Sequence, residues 1–246
     1  MKNKTAVVTG ASGGIGEAVC RILAKEGYDI ILHYNKSEEK AHKIAESIKA
    51  ENGVQVLCVG CDLSFCGAGK QLGEKIKKLT DRVDLLVNNA GLSLVGVFQS
   101  IPSESVARLM NVNLNNAMEL TSELLPLMIR EQRGNIINVS SVWGITGGSC
   151  EVHYSASKAG LIGMTKALAK EVGLSGITVN CVSPGVILTD MTSHFDEDTM
   201  NELKNETPLN KIGTPEDVAG AVAFLASSDA DFITGQDLAV NGGMNI

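Results

Sequence analysis

The sequence predicts a doubly wound α/β domain of the Rossmann type: a parallel sheet of about seven strands with helices on both faces. Three observations predict it. Apolar runs near 5–9, 29–34, 54–61, 83–89, 135–140, 177–182 and 237–240 alternate with amphipathic segments near 14–26, 37–50, 67–79, 103–130, 152–173 and 215–227. That βαβ rhythm builds a parallel sheet. The first strand, TAVV, leads through TGASGGIG into the helical pattern EAVCRILAKEG, giving strand, glycine turn and helix in succession. Finally, 246 residues at 44% hydrophobic composition can bury a sizeable core in one unit. Residues 1–246 are therefore read as a single domain, without repeats or low-complexity segments.

Taken in order, the first strand delivers Gly10, Gly14 and Gly16 in a G-x-x-x-G-x-G spacing. Residues without Cβ let the chain turn sharply and let a pyrophosphate approach amide N–H groups at a helix N-terminus. The second strand ends at Tyr34, followed by Asn35, Lys36 and Ser37. The third ends in CDLS, the fourth in NNAG, the fifth in NVSS and the sixth in SPGVILT. From Leu188 to Gly213 the rhythm breaks. An insertion after a strand's C-terminal end is placed to cover a ligand, so 188–213 is expected to form a substrate lid.

Tyr154 and Lys158 stand four residues apart in HYSASKAG, and Ser141 lies thirteen positions before the tyrosine. On a helix, i and i+4 share a face. The Lys158 ammonium beside the phenol is expected to lower a pKa that starts near ~10, so that Tyr154 exchanges a proton at neutral pH. The Ser141 hydroxyl, delivered from a strand end, could hydrogen-bond a carbonyl oxygen as it gains negative charge. This trio can reduce a ketone.

With TGASGGIG at 9–16, NNAG at 88–91, Asn113 in NVNL, Ser141 in NVSS, Tyr154 with Lys158, and PGVILT at 184–189, the chain resembles the short-chain dehydrogenase/reductase family from Thr5 to its end. The resemblance implies a catalytic set of Asn113, Ser141, Tyr154 and Lys158, with Asn113 holding a water that links Lys158 to solvent. It implies a nicotinamide dinucleotide contacted by Gly10, Ser12, Gly14, Ile15 and Gly16, then by Tyr34, Asn35, Lys36 and Ser37. Further contacts are implied from Asp62 and Leu63, from Asn89, Ala90 and Gly91, from Tyr154 and Lys158, and from Pro184, Gly185, Ile187 and Thr189. In that reading Asp62 meets the adenine, Asn89 lies beneath the adenosine ribose and Thr189 holds the carboxamide. On their residues alone, Asp62 could equally cap a turn, Asn89 stitch two strands and Thr189 cap a lid helix.

Tyr34 occupies the place where NAD-selecting relatives carry an acid. No carboxylate there repels a 2′-phosphate, and Asn35, Lys36 and Ser37 can donate to it, which predicts NADP(H). Many NADP-using relatives carry an arginine within the glycine turn; here Gly13 stands there.

On whole-chain similarity the resemblance is strongest to 3-oxoacyl-[acyl-carrier-protein] reductases, carried by KAGLIGMTKALAKEVGLSGITVNCVSPGVILTDM and ITGQDLAVNGGM. The positions where such enzymes place carrier-docking arginines hold Gln132 and Ser175, with Arg130 and Arg133 close by. The segment SSVWGITGGSCEVHYSASKAG is similar instead to reductases of a 5-aminopentanone group on a lysine of elongation factor P. There Glu151 would favour an amino ketone and repel an anionic pantetheine arm, and Trp143 would line the substrate; a helix-start role for Glu151 and core packing for Trp143 are the alternatives. A steroid or sugar alcohol remains open as substrate. A dinucleotide-sensing binding protein is the reading from another class, and the intact proton-transfer set argues against it.

A net charge of −7 gives no general affinity for nucleic acid or anionic membrane. MKNKTAVVTG has too short an apolar run for a signal peptide and no stretch approaches ~20 apolar residues, so a cytoplasmic location is expected. The six cysteines, including Cys58, Cys61 and Cys66, and the histidines His33, His42, His153 and His194 lack zinc-like spacing, so no metal is expected. The resemblance suggests a homotetramer, and Met110, Leu114 and Met118 recur at spacing four on the helix at 103–130, as core or as interface.

Overall fold

In the computed structural model, residues 4–190, 192–193 and 195–244 are described. Met191 and His194, both within the expected lid, fall outside them. The seven strands are β1 (Thr5–Val8), β2 (Asp29–Tyr34), β3 (Val56–Gly60), β4 (Leu85–Asn88), β5 (Gly134–Val139), β6 (Ile177–Pro184) and β7 (Asp237–Val240). They form one parallel sheet in the order β3-β2-β1-β4-β5-β6-β7. The order reverses between β1 and β4, which leaves a crevice at the carboxyl ends of the strands, where ligands of such sheets bind.

The central strands are apolar on both sides because helices cover both faces. On one face α1 (Gly14–Lys25), α2 (Glu38–Asn52) and α9 (Pro215–Ala226) bury Val19, Leu23, Ile48 and Val222 against Val8, Leu32 and Val87. On the other, α3 (Ala68–Lys77), α5 (Asn116–Glu131) and α7 (Val152–Val172) bury Leu72, Leu124, Met128 and Val172 against Val7, Leu86 and Val179. At about 1.5–3 kcal/mol per buried aliphatic side chain, these two layers supply the main force for folding.

The expected helix over 103–130 is broken into three pieces. α4 (Ser103–Met110) is followed by a wider π-turn over Asn111–Asn115 before α5 begins. The side chains explain the interruption, since Asn111 Nδ2 donates to Ser64 O at 3.0 Å and Asn116 Nδ2 to Leu63 O at 2.7 Å. Asn113 is similarly committed across the site. These bonds to outside partners hold the extra residue in place.

Two short elements were not foreseen: α6 (Val142–Thr146), after β5, and α8 (Glu197–Glu206), within 188–213. That excursion is closed at its base, where Ile187 bridges Gly213 and Leu188 N–H donates to Gly213 O at 2.9 Å. No described helix is long and apolar enough to cross a membrane. All six cysteines are free, and no group of three or more His, Cys, Asp or Glu among the described residues could hold a metal ion.

Candidate active site

The glycine turn is built by close approach. Gly10 has φ +64° and Gly14 φ +53°, in the left-handed region that side chains avoid. A Cβ on Gly16 would stand 2.4 Å from Gly10 O, and one on Gly10 would stand 2.8 Å from Ala90 Cα. The turn is stitched to the end of β4: Asn89 Nδ2 donates to Thr9 O and Gly10 O, while Thr9 Oγ1 accepts from the N–H groups of Asn89 and Ala90. Asn89 thus performs the stitching role open to it in the sequence. The start of α1 is left with bare backbone facing the crevice, a cradle that fits a pyrophosphate.

His33 was passed over in the sequence. It lies 2% exposed beneath the turn, where Nδ1 accepts from Gly10 N–H at 3.1 Å and Nε2 donates to Cys61 O at 2.9 Å. Both ring nitrogens are used, which defines the neutral tautomer. Burial drives its pKa down to about 4, with the Lys75 cation adding to the effect against the Cys61 bond. The signal available was a histidine inside the otherwise apolar run DIILHY.

Beside it, Tyr34 lays its ring over Gly60, where a Cβ would meet ring atoms at 3.0 Å. Asp62 accepts from Ser64 N–H at 2.9 Å and from Asn35 Nδ2 at 3.4 Å, so it caps its own turn and holds Asn35. Lys36 and Ser37 are exposed, whereas Leu63 is buried and Ser12 and Ile15 are half-buried.

Across the crevice, Gly185 N–H donates to Val240 O, and a Cβ on Gly185 would stand 2.9 Å from Asn241 Cα. Pro184 and Ile187 are buried. Thr189 N–H donates to Thr192 Oγ1 at 3.1 Å, and Thr189 Cγ2 lies 3.4 Å from a Cβ position on Gly14. The first residues of the excursion therefore touch the glycine turn.

The catalytic candidates converge where β5 meets α7. Ser141 follows β5 by two residues as N-cap of α6, accepting from Trp143 N–H at 3.2 Å. Tyr154 and Lys158 lie on one face of α7, with Lys158 Nζ 5.7 Å from the centre of the tyrosine ring. Lys158 is 3% exposed and donates from Nζ to Val139 O at 2.7 Å. Room for it is left by Gly91, where a Cβ would stand 3.3 Å from Nζ and 3.6 Å from Asn113 Oδ1.

Asn113, buried in the π-turn, accepts from Leu92 N–H at 2.9 Å and donates to Leu92 O at 2.9 Å and to Ser157 Oγ at 3.1 Å. Ser157 in turn donates to Tyr154 O at 2.7 Å. The asparagine thus ties the loop after β4 to the helix that carries the tyrosine and lysine. Ser157 had gone unnoticed between them.

The electrostatics reverse one expectation. The Tyr154 pKa is pushed up to about 12, chiefly by burial; the Ser141 hydroxyl works the other way and Glu151 adds to the rise. The ammonium was expected to lower it. Lys158 instead directs its charge at a strand carbonyl, and burial presses its own pKa down to about 8. Desolvation of the phenolate outweighs a cation held beside the ring rather than at the oxygen. At neutral pH the site holds a protonated phenol and a charged lysine.

Glu151 immediately precedes α7 and makes no side-chain cap; its Oε2 accepts from Ser93 Oγ at 3.1 Å. The carboxylate is thus held by Ser93 rather than by the helix end, and its charge adds to the rise in the Tyr154 pKa. Trp143 is half-buried, packed against Gly148, and so is not a core residue. His153 stacks on exposed Phe98 with ring centres 4.9 Å apart, forming an aromatic edge next to Tyr154.

Comparison with known proteins agrees with this geometry. The family model described as Enoyl-(Acyl carrier protein) reductase matches residues 10–245. The chain is 40% identical to the uncharacterized oxidoreductase YmfI of Bacillus subtilis (strain 168), over 98% of each chain. It is 39% identical to a 3-oxoacyl-[acyl-carrier-protein] reductase FabG of Staphylococcus epidermidis, covering 98% of this chain and 99% of the relative. It is 41% identical to Nodulation protein G of Rhizobium sp. (strain N33), covering 99% and 98%. A glycine turn at a sheet's switch point, a serine, tyrosine and lysine at one crevice, and relatives matched from end to end lead to one conclusion: the chain belongs to the short-chain dehydrogenase/reductase family and is an oxidoreductase.

Proposed function

We propose that the protein reduces a ketone to a secondary alcohol, using NADPH and the proton of Tyr154. The observation that carries this is a phenol 9% exposed, its pKa pushed up by burial, with Ser141 at its hydroxyl and Lys158 beside its ring. Such a phenol keeps its proton at neutral pH and yields it only to a strong base, which a carbonyl oxygen becomes as it acquires alkoxide character. Ser141 donates toward the same oxygen and stabilises the growing charge. The nicotinamide cofactor, when bound, supplies the hydride to the carbonyl carbon. Lys158, anchored on Val139 O, keeps a positive charge near the phenol and within reach of the crevice. Asn113 fixes the mutual position of these groups through Leu92 and Ser157.

NADP(H) is supported by the absence of a carboxylate at Tyr34 and by exposed Lys36 and Ser37 beyond it. Comparing the dissociation constants of NADPH and NADH tests this; tighter NADH binding would overturn it.

For the substrate, the geometry favours a cationic amino ketone, such as the 5-aminopentanone group on a lysine of elongation factor P. Glu151 places a carboxylate close enough to the phenol to raise its pKa, and an ammonium some atoms from the ketone would pair with it. The arginines available for an acidic carrier are engaged: Arg133 pairs with Asp84 at 2.8 Å, and Arg130 pairs with Glu131 at 3.2 Å and also donates to Asp81 O. With these two arginines paired, a chain of net charge −7 meets an acidic carrier slowly. The second reading, a 3-oxoacyl group on acyl carrier protein, is supported by the printed names of relatives. Measuring kcat/KM for an amino ketone and a 3-oxoacyl thioester separates them. The amino ketone is expected to be preferred, with Glu151→Gln lowering its kcat/KM about tenfold and not lowering that of the thioester. Preference for the thioester, with no penalty from Glu151→Gln on the amino ketone, would establish the second reading.

Segment 188–213, hinged on the Ile187–Gly213 bridge, serves in this proposal as the substrate lid. A homotetramer is supported by apolar side chains on outward faces: Met118 on α5, 42% exposed, with Met110 and Leu114 half-buried before it, and Leu238 on the edge strand β7. A light-scattering mass near 25.9 kDa would refute assembly. An elongation-factor substrate implies a cytoplasmic location.

A further inference from the structure

Lys40, in the first turn of α2, is 51% exposed, yet its side chain leans off its own helix. Its Nζ reaches back over the glycine turn to the exact gap that Gly13 leaves: a Cβ at position 13 would stand 2.7 Å from Nζ and 3.4 Å from Cε. The backbone of Gly13 is extended, so a side chain there meets no conformational penalty, only the lysine. The ammonium is met from the other wall of the crevice by Asp190, whose Oδ2 lies 3.5 Å away and 3.8 Å from the same Cβ position. Asp190 is 93% exposed, and a single exposed carboxylate is a weak partner.

The surroundings are basic. Lys36, just before α2, and Lys40 and Lys43 on it line a cavity of about 600 Å³ together with Ser37, Glu38 and Glu39. Glu38 is turned elsewhere: it accepts from the Tyr34 hydroxyl and lies 3.9 Å from His42 Nε2. The cation thus sits between the pyrophosphate cradle and the end of β2, where the adenosine ribose of a dinucleotide in this crevice would project.

We infer that Lys40 reads the 2′-phosphate of the cofactor, exchanging Asp190 for the phosphate, and that Gly13 is the vacancy that lets this cation arrive from α2 instead of from the turn. A phosphate dianion outcompetes a lone carboxylate for the ammonium. The exchange also frees Asp190, at the start of the excursion over the crevice, from its tie to α2. The inference rests on the NADP(H) reading and adds to it the residue responsible.

Equilibrium binding of NADPH and NADH to the intact protein, measured by titration calorimetry, tests it. Lys40→Gln is expected to raise the NADPH dissociation constant about tenfold, the effect of one charge-assisted hydrogen bond, and to leave that of NADH within twofold. Lys40→Arg should stay within threefold of the parent for both. In the Lys40→Gln background, Gly13→Arg should restore NADPH affinity by filling the same gap with another cation. Asp190→Asn, by removing the competitor, should tighten NADPH binding about twofold and leave NADH unaffected. A parent that prefers NADPH but is indifferent to Lys40→Gln would overturn the inference while sparing the NADP(H) reading. Equal weakening of both nucleotides would overturn it too, by assigning Lys40 to the shared pyrophosphate. A parent that prefers NADH would remove the reading and the inference together.

Discussion

His33 makes the glycine turn dependent on a neutral imidazole. Its pKa falls from 6.5 to about 4 in the folded protein, first because burial disfavours the cation. Between those values the unfolded chain binds a proton that the folded chain does not, so stability rises with pH there. The contribution is complete above 6.5 and is lost as pH falls through about 4. At ~1.4 kcal/mol per pKa unit, the separation corresponds to about 3 kcal/mol. Asparagine can present one acceptor and one donor but does not titrate, so His33→Asn removes the pH dependence while approximating the hydrogen bonds to Gly10 and Cys61. Urea unfolding at pH 7.5 and 4.5, followed by the fluorescence of the one tryptophan, Trp143, at fixed protein concentration, reads the difference. The parent is expected to lose about 2 to 3 kcal/mol more than His33→Asn between the two conditions. Equal losses would refute the reasoning, by showing that the ring protonates without disturbing the turn.

Two further outcomes follow from the site. Because Lys158 is pressed down to about 8 while Tyr154 stays protonated to about 12, kcat/KM for ketone reduction should fall as pH rises through about 8; a profile flat to pH 10 would show that the lysine charge is not needed. Gly16→Ala would force a Cβ against Gly10 O, so NADPH binding measured by calorimetry should weaken at least tenfold, and unchanged affinity would contradict the close-packed turn.

The sequence exposed this site unevenly, for physical reasons. Tyr154, Lys158 and Ser141 were legible because a helix fixes i and i+4 on one face and because the serine ends an apolar run. The glycine turn was legible because its backbone excludes Cβ atoms. The π-turn around Asn113 was not, since one inserted residue barely disturbs an amphipathic pattern read over 103–130, and only the tertiary bonds to Leu92, Leu63 and Ser64 reveal it. His33 and Lys40 act through partners 23 or more residues away in the chain, which no local pattern encodes. The tyrosine pKa was misjudged because i,i+4 spacing gives proximity but neither burial nor the aim of the ammonium.

The most direct test of the central claim is Tyr154→Phe, assayed for ketone reduction with NADPH alongside NADPH binding. The account predicts that kcat/KM falls about 10³-fold while the dissociation constant of NADPH stays within about threefold of the parent. Turnover that survives the loss of the phenolic hydroxyl would contradict it, since another group would then be delivering the proton.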